Sequence, residues 1–192
     1  MASFTRAELD SFVGAEVPDL VGDRVRLLFV GINPGLWTAA TSTHFAHPGN
    51  RFYPALRLAG VIDREISRTD GMTDADRAYL RERGIGITNL VSRATAKASE
   101  LSRDELRAGG AALAERVARI RPTVVAIAGI TAYRSAFGRP EAAMGRQPEP
   151  LAGSVLWVVP NPSGLNAHET AHTLASAYAE PARAAGLVLS PP

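Results

Sequence analysis

The chain has 192 residues, of which 46% are hydrophobic and 21% are charged, which predicts one globular domain spanning residues 1–192 and excludes a low-complexity polymer. It has no cysteine, which excludes disulfides and thiolate metal sites, and its apolar runs are far shorter than the roughly 20 residues that cross a membrane. We therefore expect a cytoplasmic protein, and the net charge of +2 is too small to indicate a nucleic-acid partner by itself.

The predicted elements follow from apolar periodicity and capping signals. In chain order they are a helix at 5–13, a strand at 25–31, helices at 51–58 and 73–83, a strand at 85–91, a helix at 102–120, strands at 123–129 and 155–159, and a helix at 168–178. Capping boxes at Thr5/Glu8 and Ser102/Glu105 begin two of the helices, and Pro181 is expected to limit the last one. The strands are nearly continuous apolar runs, which is typical of a parallel sheet buried on both faces. Alternating strands and helices predict an α/β fold, doubly wound or a three-layer sandwich.

Two loops that follow predicted strands carry an Asn-Pro-Gly element, which in the second loop has a serine before the glycine. The strand at 25–31 runs into Gly31-Ile32-Asn33-Pro34-Gly35, and the strand at 155–159 runs into Pro160-Asn161-Pro162-Ser163-Gly164-Leu165-Asn166. Each proline favours extended geometry at the preceding asparagine, while each glycine lets the backbone approach a ligand closely. Because ligands of α/β folds bind beyond the carboxyl ends of the strands, the two loops together predict one binding site. For either loop alone, the alternative is an ordinary turn without a binding role, because Asn-Pro and Pro-Gly dipeptides are common in turns.

Four motifs occur in order along the chain. They are Gly31-Ile32-Asn33-Pro34-Gly35-Leu36, His44-Phe45-Ala46-His47-Pro48-Gly49-Asn50-Arg51-Phe52, Gly86-Ile87-Thr88-Asn89-Leu90-Val91 and Asn161-Pro162-Ser163-Gly164-Leu165. Together they resemble the mismatch-specific uracil/thymine-DNA glycosylases, family 2 of the uracil-DNA glycosylase superfamily, over roughly residues 25–180. The resemblance implies a three-layer α/β/α sandwich with a central parallel four-stranded sheet, in agreement with the elements above.

The same resemblance implies a monofunctional DNA-repair hydrolase. Such an enzyme hydrolyses the N-glycosidic bond of uracil, and of ethenocytosine-type adducts, mispaired with guanine in double-stranded DNA, and leaves an abasic site. The nucleotide is flipped out first, because the bond is inaccessible inside a stacked duplex. No metal and no cofactor are implied, and we expect a monomer, associated with the nucleoid in a bacterium.

The resemblance assigns the catalytic role to Asn33, whose side-chain carbonyl holds the attacking water, because an amide can orient water but is no strong general base. Phe45 is implied to stack on the flipped base. The other implied pocket residues are Gly31, Ile32, Thr38 and Asn161, with Thr38 near the C5 edge of the base, where relatives carry Ser or Ala. The departing uracil is an anion that oriented backbone N–H groups would stabilise.

The loop at 161–166 is implied to enter the duplex. Leu165 is the apolar wedge that fills the vacated stack, and Ser163, Gly164 and Asn166 face the orphaned guanine. Ala167 departs from the family's bacterial prototype, which has an arginine there, and this predicts a weaker grip on DNA or on the orphaned base. Ser92 stands where relatives commonly carry an acidic residue.

Two other interpretations remain open. His168-Glu169-Thr170-Ala171-His172 is a literal H-E-x-x-H motif, which on a helix would present two imidazoles and a glutamate for zinc hydrolysis. Only 20 residues follow His172, without an evident third ligand, so His44 or His47 would have to supply one. The second alternative is a DNA- or nucleotide-binding α/β module that kept the loops and lost the chemistry, which the presence of the implied water-holding and stacking residues argues against.

Overall fold

Five strands form the central sheet of the structure, a computed structural model that describes residues 3–166 and 169–190. In chain order they are β1 (Leu27–Gly31), β2 (Ile85–Asn89), β3 (Val124–Ala128), β4 (Gly145–Arg146) and β5 (Val155–Val159), arranged side by side as β2-β1-β3-β5-β4. All pairs are parallel except that of β4 with β5. The four predicted strands are confirmed. The fifth, β4, is an antiparallel edge strand of two residues, too short and too polar to give an apolar signal in the sequence.

Both faces of the sheet are covered, as the continuous apolar strands predict. Every residue of β1, β2 and β3 is buried. Successive side chains of a strand point to opposite faces, so Leu27 and Phe29 of β1 enter one core while Leu28 and Val30 enter the other. Helices therefore pack on both faces, and the predicted α/β/α sandwich is confirmed.

The described residues form seven α-helices. They are α1 (Arg6–Asp10), α2 (Leu36–Thr41), α3 (Phe52–Leu58), α4 (Asp74–Glu82), α5 (Arg103–Ile120), α6 (Ile130–Phe137) and α7 (Ala171–Ala184). Helices α3, α4 and α7 contribute to the first core, and α5 and α6 contribute to the second. The capping boxes predicted at the starts of α1 and α5 are confirmed. Within the described ranges, none of the helices combines the length and hydrophobicity that crossing a membrane requires.

Two short helices, α2 and α6, are not predicted by the sequence. Each begins directly after a glycine, Gly35 or Gly129, and neither has a side-chain hydrogen bond at its N-cap. The usual start signal of a Ser, Thr, Asp or Asn cap is therefore missing. Tertiary packing holds these helices, because Leu36 and Ala39 of α2 and Ala132 and Ala136 of α6 are buried.

The last helix differs from its prediction at both ends. It begins at Ala171 after the N-cap Thr170, whereas the predicted first residue, His168, lies outside the described residues. It also continues past Pro181 to Ala184. Proline removes only its own N–H from the hydrogen-bond ladder. The carbonyl of Pro181 still accepts from the N–H of Ala185 at 2.9 Å, and Pro181 is buried.

The carboxyl ends of β1, β2, β3 and β5 lie at one edge of the sheet. Gly31 at the end of β1 pairs with Asn89 at the end of β2, and Ala128 of β3 pairs with Val159 of β5. The motif-bearing loops leave these strand ends, so the parallel register brings them to one place.

Candidate active site

The two Asn-Pro-Gly loops meet at the carboxyl edge of the sheet, as predicted. A Cβ at Gly129 would lie 3.4 Å from Cδ1 of Ile32 in the first loop and 3.8 Å from Cβ of Asn161 in the second. The segment after the first loop also contacts the second, because the N–H of Arg51 donates to the carbonyl of Pro162 at 3.0 Å. The structure therefore joins motifs that are more than 100 residues apart in the chain.

The side chain of Asn33 is held in one orientation. Its Nδ2 donates to the carbonyls of Pro34 and Arg93, at 3.2 and 3.1 Å, and to Oγ1 of Thr95 at 2.7 Å. The single hydroxyl hydrogen of Thr95 is committed to the carbonyl of Lys97, so its oxygen must accept from the amide. All three partners therefore require the NH₂ group on this side. No described residue donates to Oδ1 of Asn33, which leaves that oxygen free to accept from a water.

The segment that anchors Asn33 is itself tied by carboxylates. Nε of Arg93 donates to Oε1 of Glu105 at 2.5 Å, and this hydrogen bond lowers the pKa of the Glu105 carboxyl to about 2. Ser92, one of the predicted departures from the family pattern, donates through Oγ to Oε1 of Glu16 at 2.9 Å. A carboxylate from the N-terminal segment thus lies beside position 92.

Phe45 occupies a backbone conformation that side chains rarely adopt, with φ of +56°. Its ring stacks on Phe52, with the centroids 4.1 Å apart and the planes 25° apart, and Phe52 is buried in the core. The hydroxyl of Tyr53 donates to the carbonyl of His44 at 2.9 Å and so holds the preceding residue. Cζ of Phe45 lies 3.3 Å from the place where a Cβ of Gly31 would be. The half-buried ring is therefore fixed beside the end of β1, as its predicted stacking role requires.

Asn89 and His44 are site residues to which the sequence assigned no role at the base. Oδ1 of Asn89 lies 2.5 Å from the Cβ position of Gly31, so a larger residue than glycine there would collide with it. Nδ2 of Asn89 lies 3.3 Å from Nδ1 of His44, whose Nε2 lies 3.1 Å from the carbonyl of Pro18. Both ring nitrogens of His44 are thus engaged, which argues against its use as a zinc ligand. Asn89 ends an apolar strand and Asn33 directly follows one. This similar placement is the sequence signal that could have identified Asn89 as a site residue.

Thr38 lies on α2 and is buried, with 5% of its surface exposed. Its carbonyl accepts from the N–H of Thr43 at 3.2 Å, which places α2 against the segment that leads to Phe45. Its place near the C5 edge of the base stays a prediction.

The loop at 161–166 is braced by its own polar groups. Oδ1 of Asn161 accepts from the N–H of Ser163 at 3.0 Å, and Nδ2 of Asn166 donates to the carbonyl of Asn161 at 3.3 Å. Oγ of Ser163 accepts from the N–H of Leu165 at 3.3 Å. The side chain of Leu165 takes no part in these hydrogen bonds, and 85% of its surface is exposed. A fixed loop that presents an exposed leucine has the form expected of a wedge.

Gly164 ties this loop to the motif at 44–52. A Cβ at Gly164 would lie 2.6 Å from the carbonyl oxygen of Gly49, so only glycine allows the two backbones to approach this closely. Ala167, the position of the predicted departure from the family's bacterial prototype, lies outside the described residues. The predicted effect of that departure stays a prediction.

His168, the first residue of the H-E-x-x-H motif, lies outside the described residues, and the other two motif residues, Glu169 and His172, do not lie in one helix. Glu169 precedes α7 and accepts through Oε2 from Oγ1 of Thr173 at 2.7 Å, while His172 is the second residue of the helix. Among residues 3–166 and 169–190, no group of three or more His, Asp or Glu is placed to hold a metal ion.

Comparisons with known proteins agree with this arrangement. The family model described as the uracil DNA glycosylase superfamily matches residues 18–182. A solution NMR structure of a candidate uracil DNA glycosylase from Methanosarcina acetivorans has the same fold, with a TM-score of 0.57 and 15% sequence identity over 88% of this chain and 97% of that one. The family model spans all four motifs and every candidate site residue. The chain therefore belongs to the uracil DNA glycosylase superfamily.

Proposed function

We propose that the protein is a mismatch-specific uracil-DNA glycosylase that removes uracil paired with guanine from double-stranded DNA. It acts as a monomer without metal or cofactor and leaves an abasic site with an intact backbone. The observation that carries the proposal is the side chain of Asn33, whose Nδ2 is held by three acceptors while its Oδ1 stays free to bind a water.

The first step is extrusion of the uridine nucleotide. Leu165, exposed at the end of a braced loop, enters the duplex and fills the space that the base vacates. Ser163, Gly164 and Asn166 lie on the same loop and face the orphaned guanine. Contacts to that guanine favour a G·U pair over an A·U pair, which is the basis of the mismatch specificity.

The flipped base enters the space at the end of β1. The ring of Phe45 supports one face of the base, and Ile32 and Asn161 lie nearby around Gly129. Oδ1 of Asn89 accepts a hydrogen bond from N3–H of uracil. Ethenocytosine-type adducts have no N3–H, so they make poorer substrates than uracil in this pocket.

The chemical step is hydrolysis of the bond between uracil N1 and deoxyribose C1′. The water on Oδ1 of Asn33 bonds to C1′ as the C1′–N1 bond breaks, uracil leaves with the electron pair of that bond, and the water gives up its proton to solvent. Asn33 holds the water in place and takes no proton, since an amide is not a useful base. Catalysis by positioning and leaving-group stabilisation alone predicts a slow enzyme.

The test uses the purified protein, with and without EDTA, on duplexes with G·U or A·U at one position and then alkali to break abasic sites. We expect alkali-dependent cleavage at the uracil of G·U, weaker cleavage of A·U and no effect of EDTA. Asn33→Ala should lower the single-turnover rate at least about 100-fold while DNA binding is kept, because only the water holder is lost.

Three results would each point elsewhere. Inhibition by EDTA that zinc reverses supports the H-E-x-x-H alternative. Tight binding of G·U duplex without excision supports a non-catalytic module. Equal rates on G·U and A·U support a uracil-DNA glycosylase without mismatch specificity.

A further inference from the structure

We propose that His44 fixes which way the side-chain amide of Asn89 faces, and that this makes the pocket select a base whose N3 carries a hydrogen. The proposal rests on the proposed function and deepens it. It assigns to a buried histidine, outside the contacts with the base, the role of setting the hydrogen-bond polarity that the base meets.

The contact of His44 with Pro18 determines where the imidazole carries its hydrogen. Nε2 of His44 lies 3.1 Å from the carbonyl oxygen of Pro18, and a carbonyl can only accept, so Nε2 must carry a hydrogen. His44 is 3% exposed, and burial lowers the pKa of its imidazole. Two charged groups also act on this pKa, and their effects are opposite, because Asp19 raises it and Arg77 lowers it. The ring is therefore neutral at pH 7, with its single hydrogen on Nε2.

The position of the hydrogen on His44 determines which way the amide of Asn89 faces. A neutral imidazole with hydrogen on Nε2 has a lone pair on Nδ1, so the atom of Asn89 that lies 3.3 Å away must be the donor Nδ2. The amide oxygen then faces the opposite way. It lies 2.5 Å from the place where a Cβ of Gly31 would be, and Cζ of Phe45 lies 3.3 Å from the same place. None of the described residues donates to this oxygen, although the side chain of Asn89 is buried.

A buried acceptor without a partner discriminates between bases. Uracil offers N3–H and satisfies the oxygen of Asn89, whereas cytosine offers a lone pair at N3 and leaves two acceptors facing each other. A polar site that is built for one partner rejects a mismatched one because its buried groups are left unpaired. If the amide were free to turn over, its NH₂ group would suit cytosine equally well.

The side-chain amides of Asn33 and Asn89 differ in the number of hydrogen-bond partners that orient them. Asn33 is oriented by three acceptors, two of them backbone carbonyls, which no substitution of a side chain removes. Among the described residues, Nδ2 of Asn89 has one partner, His44. A change at His44 therefore releases the base-reading amide and leaves the water-holding amide in place.

The experiment measures G·U excision by the wild type, His44→Leu and His44→Gln in the presence of free uracil, cytosine or 3-methyluracil as competitors. The wild type should be inhibited at least about 10-fold better by uracil than by either other base. His44→Leu should lose this preference. His44→Gln should retain most of it, because glutamine can still donate toward Pro18 and accept from Asn89.

Two measurements separate this proposal from its alternatives. Thermal melting and binding to an abasic duplex report whether His44→Leu is folded, and if it is not, the ¹⁵N spectrum of the imidazole in the wild type decides. A neutral ring with its hydrogen on Nε2 supports the proposal that His44 orients Asn89, and a hydrogen on Nδ1 overturns that proposal. Equal inhibition of the wild type by uracil and 3-methyluracil also overturns it. Absence of any G·U excision by the wild type would instead reject the proposed function.

Discussion

The guanidinium of Arg51 donates through Nη1 to the carbonyl oxygen of Asn166 at 3.1 Å, across 115 residues of chain. The same nitrogen donates to the carbonyl of Ser163 at 3.4 Å. Arg51 precedes α3 in the motif that also contains Phe45, and Asn166 follows Leu165 in the loop proposed to enter DNA. One side chain thus links the base-stacking segment to the wedge loop.

Arg51→Ala should therefore impair excision without removing a group that touches the base. The loss of donors to partly buried carbonyls is worth about 1–3 kcal/mol, which predicts a fall of about 5- to 150-fold in the single-turnover rate on G·U. Arg57→Ala is the matched control, because Arg57 lies on α3, is exposed and pairs with Glu65. Equal rates for Arg51→Ala and Arg57→Ala would show that the link does not matter.

The strand ends were predictable because a run of buried apolar residues is a local signal. β1 and β5 need no knowledge of distant residues to be recognised, and the loops that follow them were predicted at the right edge of the sheet. The partners across that edge are not local. His44 and Asn89 are 45 residues apart, and His44 reaches Asn89, at the end of β2, from the segment between α2 and α3. The path of that segment leaves no pattern in the sequence, so the pair was missed.

Thr95 is expected to act through Asn33. Thr95→Val removes the shortest of the three hydrogen bonds to Nδ2 while two carbonyls remain, so the amide should loosen and the single-turnover rate should fall about 5- to 10-fold. Thr95→Ser keeps the hydroxyl and should retain most of the rate. The affinity for abasic duplex should be unchanged in both. A Thr95→Ser enzyme as slow as Thr95→Val would indicate packing of the methyl group, and not the hydroxyl, as the cause.

Leu165→Ala should weaken binding to duplexes that contain G·U or an abasic site. Burying a leucine side chain in the vacated stack is worth about 1.5–3 kcal/mol, so the loss should be about 10- to 100-fold in affinity. The free energy of unfolding should not change, because the side chain is 85% exposed. Leu58→Ala, also an exposed leucine but located on α3, serves as the control for a general effect on DNA binding. Unchanged affinity in Leu165→Ala would refute the wedge assignment.

Acid should destabilise the fold in a way that depends on His44. Because burial lowers the pKa of His44 in the folded state, the unfolded chain binds this proton more readily, and stability is lost as the pH falls below about 6.5. Urea unfolding between pH 7.5 and 5.5 should show this slope in the wild type and a flatter one in His44→Gln. His172→Gln, which changes an exposed histidine of α7, should keep the wild-type slope. Glu105, whose pKa is lowered to about 2 by Arg93, adds a further loss only below about pH 4.5.

Thr38 should set the preference for uracil over thymine opposite guanine. If its methyl group lines the pocket near C5 of the base, the 5-methyl group of thymine meets an already filled space. Overpacking of this kind is worth about 1–3 kcal/mol, or roughly 5- to 150-fold in rate. Thr38→Ala should therefore raise G·T excision relative to G·U under single-turnover conditions, and Thr38→Ser should lie between the two. If the U/T ratio is the same in all three proteins, even with both rates reduced, the preference comes from the poorer leaving ability of thymine, and the buried side chain of Thr38 packs away from the base.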